Sequence, residues 1–372
     1  MNTNGKNNDV NWKTIFGVAA VWFGSHVGGG FATGNQTRTF FAIAGFPAVF
    51  LPFVSVLIIA WVFYEGLQFA RNTNEYNYHN WIVKLFEPYG KPMGYVFDIA
   101  FFLLALVGTG ASIAGGAKLM ESLFGLPYII GVLITGSVFF LLTIFGAELV
   151  RNSSAVITLI LLVVLSLIIL VGLGSKPQGF IEIVSSGHVN TSWTLALWNA
   201  LRYAGFQSLV LAIMLGSGKP LTTRKSVTRF AVLGIILNGV MITLSCWMLL
   251  AHLPIIANET LPILAILESL NVPAVKYAYS VSLFLAFVST GVGCVFGVVA
   301  RYEDNILKQM DVSKRRMLLS FFTMALSTGI SLVGLDTLVL KGYGYLGVIT
   351  IVFLIIPTIV IGTIKNRKFN KG

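Results

Sequence analysis

The first long apolar segment of the chain reads Phe23-Gly24-Ser25-His26-Val27-Gly28-Gly29-Gly30-Phe31-Ala32-Thr33-Gly34, with glycine at 24, 28, 29, 30 and 34. Apolar residues run from Ile15 to Trp22 before it and from Phe40 to Phe53 after it, enough for a bilayer-crossing helix, which needs about 20 residues. In lipid such a helix must satisfy its own backbone hydrogen bonds. Each glycine weakens it by about 1 kcal/mol relative to alanine. A break is tolerated there only where the freed amides and carbonyls face protein, water or a ligand. The segment predicts a spanning helix interrupted at a binding site.

The rest of the chain fits a membrane protein. Of 372 residues, 56% are hydrophobic and 10% charged, against roughly 25% charged in soluble proteins. Ten spans are expected, at roughly 13–42, 46–71, 92–123, 127–148, 152–174, 193–216, 226–252, 273–302, 316–334 and 342–364. The polar stretch Met1 to Trp12 leads into no small-residue cleavage site, so no signal peptide is expected. Most of the 25 lysines and arginines fall on the side of the N-terminus. Arg38, Lys118, Lys176, Lys276 and Lys341 lie on the other side, and Arg202 lies inside a span. That asymmetry places both termini in the cytoplasm and the chain in the plasma (inner) membrane. The net charge of +11 is then an orientation signal and not a nucleic-acid footprint. Tyr76 to Tyr89 reads as a short amphipathic helix with aromatics at headgroup level. Thr260 to Leu270 is apolar but too short to cross.

Ten spans divide into two halves of five, about 13–174 and 193–364, within a single membrane transport domain covering 1–372. An odd number per half inverts one half relative to the other, the plan of many secondary transporters. The second half should then be interrupted in its own first span. Gly205 is a weak breaker there, but Asn199, Arg202, Tyr203, Gln207 and Ser208 put a polar cluster in mid-span.

On these features the chain resembles the LeuT-type fold of the amino acid–polyamine–organocation (APC) superfamily, closest to its YkvI-like membrane proteins. Gly24-x-x-Val27-Gly28-x-Gly30 is similar to the unwound stretch of helix 1 in sodium-coupled members, and Ala286-Phe287-Val288-Ser289-Thr290 to the stretch of helix 8 that faces it. The resemblance implies an all-α fold of ten transmembrane helices in two inverted repeats, with helices 1 and 6 broken. It also implies a sodium ion as coupling ion, held by the carbonyls of Gly24, Val27 and Ala286 and the hydroxyls of Ser289 and Thr290. Where two-sodium relatives carry asparagine this chain has Phe31, and Ser153 to Leu173 lacks the lysine of proton-linked relatives. A second sodium site is not expected.

The expected solute contacts are Ser25, His26, Gly28, Gly29, Gly30, Thr109, Tyr203, Phe206 and Gln207. His26 reads either as a solute contact or as a partner for a freed carbonyl. Arg202 must face a cavity or a partner, either an anionic solute or an acid in an outer gate. Glu65 and Asp98, near the inner interface, read as partners of basic loops. Four scattered histidines, two cysteines within apolar segments and the lack of G-x-S-x-G or H-E-x-x-H exclude the common enzyme motifs. The expected function is sodium-coupled symport of a small amino acid or related carboxylate. The alternatives are a proton-coupled or uncoupled carrier on the same fold, and a non-transporting solute sensor.

Overall fold

The computed structural model describes residues 11–145, 147–303, 306 and 308–369, so most of the polar N-terminal stretch lies outside it. The described residues are helical apart from short connections and one isolated antiparallel bridge between Gly45 and Val189. In chain order the helices are α1 (Trp12–His26), α2 (Gly29–Ala32), α3 (Asn35–Phe40), α4 (Leu51–Thr73), α5 (Tyr78–Leu85) and α6 (Lys91–Phe124). Then come α7 (Tyr128–Phe145), α8 (Ala147–Ser175), α9 (Pro177–Ser186), α10 (Trp193–Ser208) and α11 (Leu211–Ser217). After them come α12 (Arg224–Ala251), a single helical turn at Leu253–Ile256, α13 (Pro262–Ser269), α14 (Pro273–Tyr302), α15 (Val312–Ser331) and α16 (Leu335–Phe369).

Seven of these are long and apolar enough to cross a membrane, and the pair α10–α11 makes an eighth crossing bent by 41°. The run α1–α3 is divided into pieces too short to cross alone, and α15 opens with Lys314, Arg315 and Arg316. This arrangement is compatible with ten crossings. The second begins at Leu51 and not near 46, because Phe46–Val49, with Pro47, forms a separate 3-10 turn.

The helices form two groups. In one, α14 packs along α6, α8 and α15, and α7 closes against α6 and α15. In the other, α1 lies on α12 while α10 lies between α4 and α16. Trp22 of α1 anchors the second group, its ring 4.9 Å from Phe63 and 5.7 Å from Phe230.

The amphipathic helix between α4 and α6 is present, but its aromatics are arranged differently from the expectation. Tyr78 and Trp81 face inward, and the Trp81 indole donates to the Gly66 carbonyl at 3.0 Å. A ring that buries its face and satisfies its N–H on backbone is better placed inside than at the headgroups. Only Tyr89, 84% exposed, projects outward.

Candidate functional site

Helix α1 ends at His26; Val27 leaves the helical region and Gly28 is extended (φ −67°, ψ 178°) before α2 begins. The Val27 amide still bonds the Phe23 carbonyl. Among the described residues no backbone amide reaches the carbonyls of Gly24 or Val27. A second interruption follows at Gly34, whose φ of +81° favours glycine. The predicted break is there, and it frees the predicted oxygens.

The glycines of the break are also contact surfaces. A Cβ added at Gly28 would lie 3.2 Å from the Thr290 hydroxyl, at Gly29 2.3 Å from the Phe287 ring, and at Gly30 2.4 Å from Gln36 Nε2. The Gly29 amide donates to Thr290 Oγ1 at 3.3 Å. The structure thus brings Thr290 of α14 to the helix 1 break, with Phe287 one turn earlier. Thr158 of α8, which sequence reasoning missed, sits against Gly24, within 2.9 Å of where a Cβ would be. Thr109 of α6 donates to the Gly291 carbonyl at 3.0 Å, tying α6 to α14.

His26 is buried with both ring nitrogens engaged: Nδ1 lies 2.8 Å from Asn238 Oδ1 and Nε2 lies 2.7 Å from the Tyr203 hydroxyl. It bonds side chains, not a freed carbonyl. Asn238 Nδ2 donates to the Gly234 carbonyl at 2.9 Å, which leaves its oxygen to accept from His26 Nδ1–H. A neutral imidazole then accepts from Tyr203 through Nε2, and Gln207 Nε2 donates to Tyr203 at 3.4 Å. One directional chain of hydrogen bonds links α12, the end of α1 and α10. Asn238 was not legible in sequence; it lies in a π-helical turn, Ile235–Gly239, a feature that recurs at functional sites. Tyr203→Phe is expected to destabilise the protein by about 1–3 kcal/mol, because His26 Nε2 loses its donor in a buried position. Thermal unfolding of the purified variant checks this, and an unchanged melting temperature would mean that the chain contributes nothing to stability.

The first span of the second half, expected as transmembrane helix 6 and formed by α10 and α11, is interrupted, though at Leu209–Val210 and without glycine. The amides of Leu209, Val210, Ala212 and Ile213 each bond three residues back, so a tight turn bends the chain while keeping its hydrogen bonds. Gly205 is not part of this break. It packs against Gly347 of α16, whose carbonyl would lie 2.2 Å from an added Cβ. Around the interruption, Tyr203 is ringed by Phe40, Phe41 and Phe206, with centroids at 4.9–5.7 Å. Phe206 stacks on Tyr343 at 4.7 Å, and Phe31 lies 5.7 Å from His26. Gln36 Oε1 and Thr37 Oγ1 are buried with no hydrogen-bond partner among the described residues. Phe40, Phe41, Gln36 and Tyr343 escaped sequence reasoning, since nothing local marks them. Ser25 is part-buried in the last turn of α1.

Among the described residues Arg202 meets no acid; its guanidinium lies over the Phe40 ring, 5.9 Å from the centroid. It donates to the carbonyls of Leu340 (2.9 Å) and Gly344 (3.3 Å) and to Asn199 (3.1 Å), stapling α10 to the π-helical start of α16. A part-buried ion pair on that side, far from the termini, is made by Arg38. Its guanidinium meets Asp336 at 2.5 Å and donates to the Glu259 carbonyl at 2.6 Å. Asn35 and Thr260 also donate to Asp336, at 2.8 and 2.5 Å, so α3, the segment before α13 and the start of α16 close on one carboxylate. On the terminal side a cavity of about 390 Å³ lies between α5, α6, α11 and α14, lined by Tyr78, Phe101, Ala212, Gly297 and Arg301 among others. Asp98 pairs there with Arg301 through two 2.8 Å bonds and with His79 at 2.8 Å. Glu65 accepts from Asn366 of α16 at 2.8 Å. Asp98 thus pairs with a basic residue, though one on a helix, whereas Glu65 meets the neutral amide of Asn366 and not the basic loop expected of it.

No protein-family model matches the chain, and no curated protein matches it. Solved structures do. MhsT, solved with L-phenylalanine, superposes over 96% of this chain and 98% of its own at a TM-score of 0.65 and 15% identity. A Na+-coupled sialic acid symporter superposes over 95% of this chain and 89% of its own, with TM-score 0.61 and 11% identity. Mhp1, a nucleobase-cation-symport-1 family transporter, covers 87% of this chain and 74% of its own, with TM-score 0.61 and 16% identity. With helices 1 and 6 interrupted side by side and near-complete superposition on these proteins, the chain has the LeuT-type fold.

Proposed function

We propose that the protein is a secondary active transporter that couples sodium to uptake of a small amino acid or related carboxylate by alternating access. The observation that carries this reading is the meeting of the helix 1 break with Thr290 of α14. Freed carbonyls at Gly24 and Val27, with Ala286, Ser289 and Thr290 on the facing helix, supply uncharged oxygen donors suited to a hard monovalent cation. Unwound carbonyls coordinate the coupling ion in transporters built this way, and half-helix amides such as those of Gly28 to Gly30 face anionic solute groups. The aromatic residues around Tyr203 and Phe206 suit a solute with an apolar side chain, in keeping with the L-phenylalanine of MhsT. His26 has both nitrogens committed, which favours sodium over proton coupling. The Arg38–Asp336 closure opposite the terminal-side cavity supports a carrier seen open toward its termini. Basic residues such as Arg71, Lys84, Lys225 and Arg301 on that side support its being cytoplasmic.

Sodium should raise the melting temperature of the wild type over a large inert cation at matched ionic strength, and should tighten solute binding about 5–150-fold. The ion would order the unwound stretch whose neighbouring amides meet the solute. The double variant Ser289→Ala with Thr290→Ala should remain folded and lose both effects. Equal sodium stabilisation in wild type and variant would remove these hydroxyls from the ion site. Identical solute affinity in both salts would leave the proton-coupled or uncoupled carrier.

A further inference from the structure

A second cleft, of about 710 Å³, opens on the terminal side between the ends of α4, α5 and α16. Three ammonium groups line it, from Lys84, Lys365 and Lys368, together with Asn72, Glu87 and the buried ring of Phe69. Lys84 donates to the Thr73 carbonyl at 3.3 Å, and Lys365 donates to the Lys84 carbonyl at 2.9 Å while lying 5.8 Å over the Phe69 ring. Each bond uses one of three N–H donors, so both ammoniums keep donors to offer. The acids facing this group are Glu87, in the cleft, and Glu75, 3.9 Å from the Lys84 ammonium. They offset the lysines only in part. Phe369, half exposed at the rim, adds apolar surface where α16 ends.

We propose that this cleft holds the phosphate of an anionic phospholipid from the adjoining leaflet. A phosphodiester carries one negative charge and acceptor oxygens that match converging ammoniums. The depth of the cleft is set by the ends of two spanning helices, α4 at Thr73 and α16 at Phe369, which is where headgroups lie. The aromatic floor and rim suit the glycerol and first methylenes of a lipid better than a fully hydrated anion. Basic pockets between helices at this level are a recurring way to hold anionic headgroups. The lipid would clamp α5 to α16, and Tyr78 of α5 with its capping residue Asn77 lines the wall of the 390 Å³ cavity.

The test uses the full-length protein in detergent and follows thermal unfolding. Short-chain dihexanoyl phosphatidylglycerol is compared with dihexanoyl phosphatidylcholine and with inorganic phosphate. Phosphatidylglycerol is expected to raise the melting temperature saturably, with the other two inactive. Its apparent affinity should fall about fivefold for each lysine replaced by glutamine, and should weaken at high salt. Lys368→Gln, at an exposed position in the last turn, serves as the variant least able to disturb folding. Equal shifts from both lipids, an equal shift from phosphate, or full affinity in Lys368→Gln and in the triple variant would each overturn the assignment.

Discussion

Gly205→Ala is expected to lower the melting temperature markedly and the yield of folded protein several-fold. Where α10 crosses α16 the two backbones touch: an added Cβ at Gly205 would lie 2.2 Å from the Gly347 carbonyl, and one at Gly347 2.1 Å from the Arg202 carbonyl. A flexible side chain could turn aside, but a backbone carbonyl in a helix cannot, so the helices must separate. Small residues that let backbones approach closely are what hold membrane helices together. Overpacking of this kind costs about 1–3 kcal/mol or more, and the upper end applies because Arg202 staples the same two helices. Gly293→Ala is the control, since among the described residues nothing lies within 4 Å of its added Cβ. Monodispersity and melting temperature of both purified variants decide the matter. A Gly205→Ala protein as stable as Gly293→Ala would show that the crossing can relax.

The second large effect is expected from Asp336→Asn, as opening of the side far from the termini. Arg38 is 9% exposed, and Asp336 is its carboxylate partner among the described residues. A charge-assisted hydrogen bond is worth about 1.5–3 kcal/mol net. The Asp336 side chain is 45% exposed, and solvent screening argues for the lower part of that range. About 1.4 kcal/mol is a tenfold change in an equilibrium, so the far-side-open population should rise about tenfold. Thr37, buried one residue before Arg38 with its hydroxyl unpartnered among the described residues, is the reporter. In a Thr37→Cys background, a membrane-impermeant thiol reagent applied from the far side should react about tenfold faster when Asp336 is also replaced by asparagine. Equal labelling rates would mean that this ion pair does not seal the site.

Both predictions rest on contacts that local sequence does not announce. The break in helix 1 was legible because its cause is local: consecutive glycines weaken a helix in lipid, the chain leaves it at Val27–Gly28, and Gly34 adopts a conformation that favours glycine. Most of the spans were legible because hydrocarbon thickness sets a length that any apolar run must meet. The break in helix 6 was placed in the right segment but for a partly wrong reason. Its turn is formed by Leu209 and Val210 in ordinary right-handed conformations, and Gly205, which looked like a weak breaker, is a contact with α16.

Partnership across the chain was the part that sequence could not show. Arg202, alone in mid-span, demanded a partner but did not name one. The fold supplied carbonyls of a π-helical turn more than a hundred residues away, while Arg38, read only as an outside charge, took Asp336. Likewise His26 was visible, but the pair that occupies its two nitrogens, Asn238 and Tyr203, exists only once α12 and α10 pack against α1. What the sequence determined by itself is where backbone must leave the helix and which stretches must lie in lipid, because both follow from the solvent and from residues adjacent in the chain. What tertiary structure decided is which freed or charged group meets which. A polar group in hydrocarbon must find some partner, and only the packing of helices distant in sequence selects the one it finds.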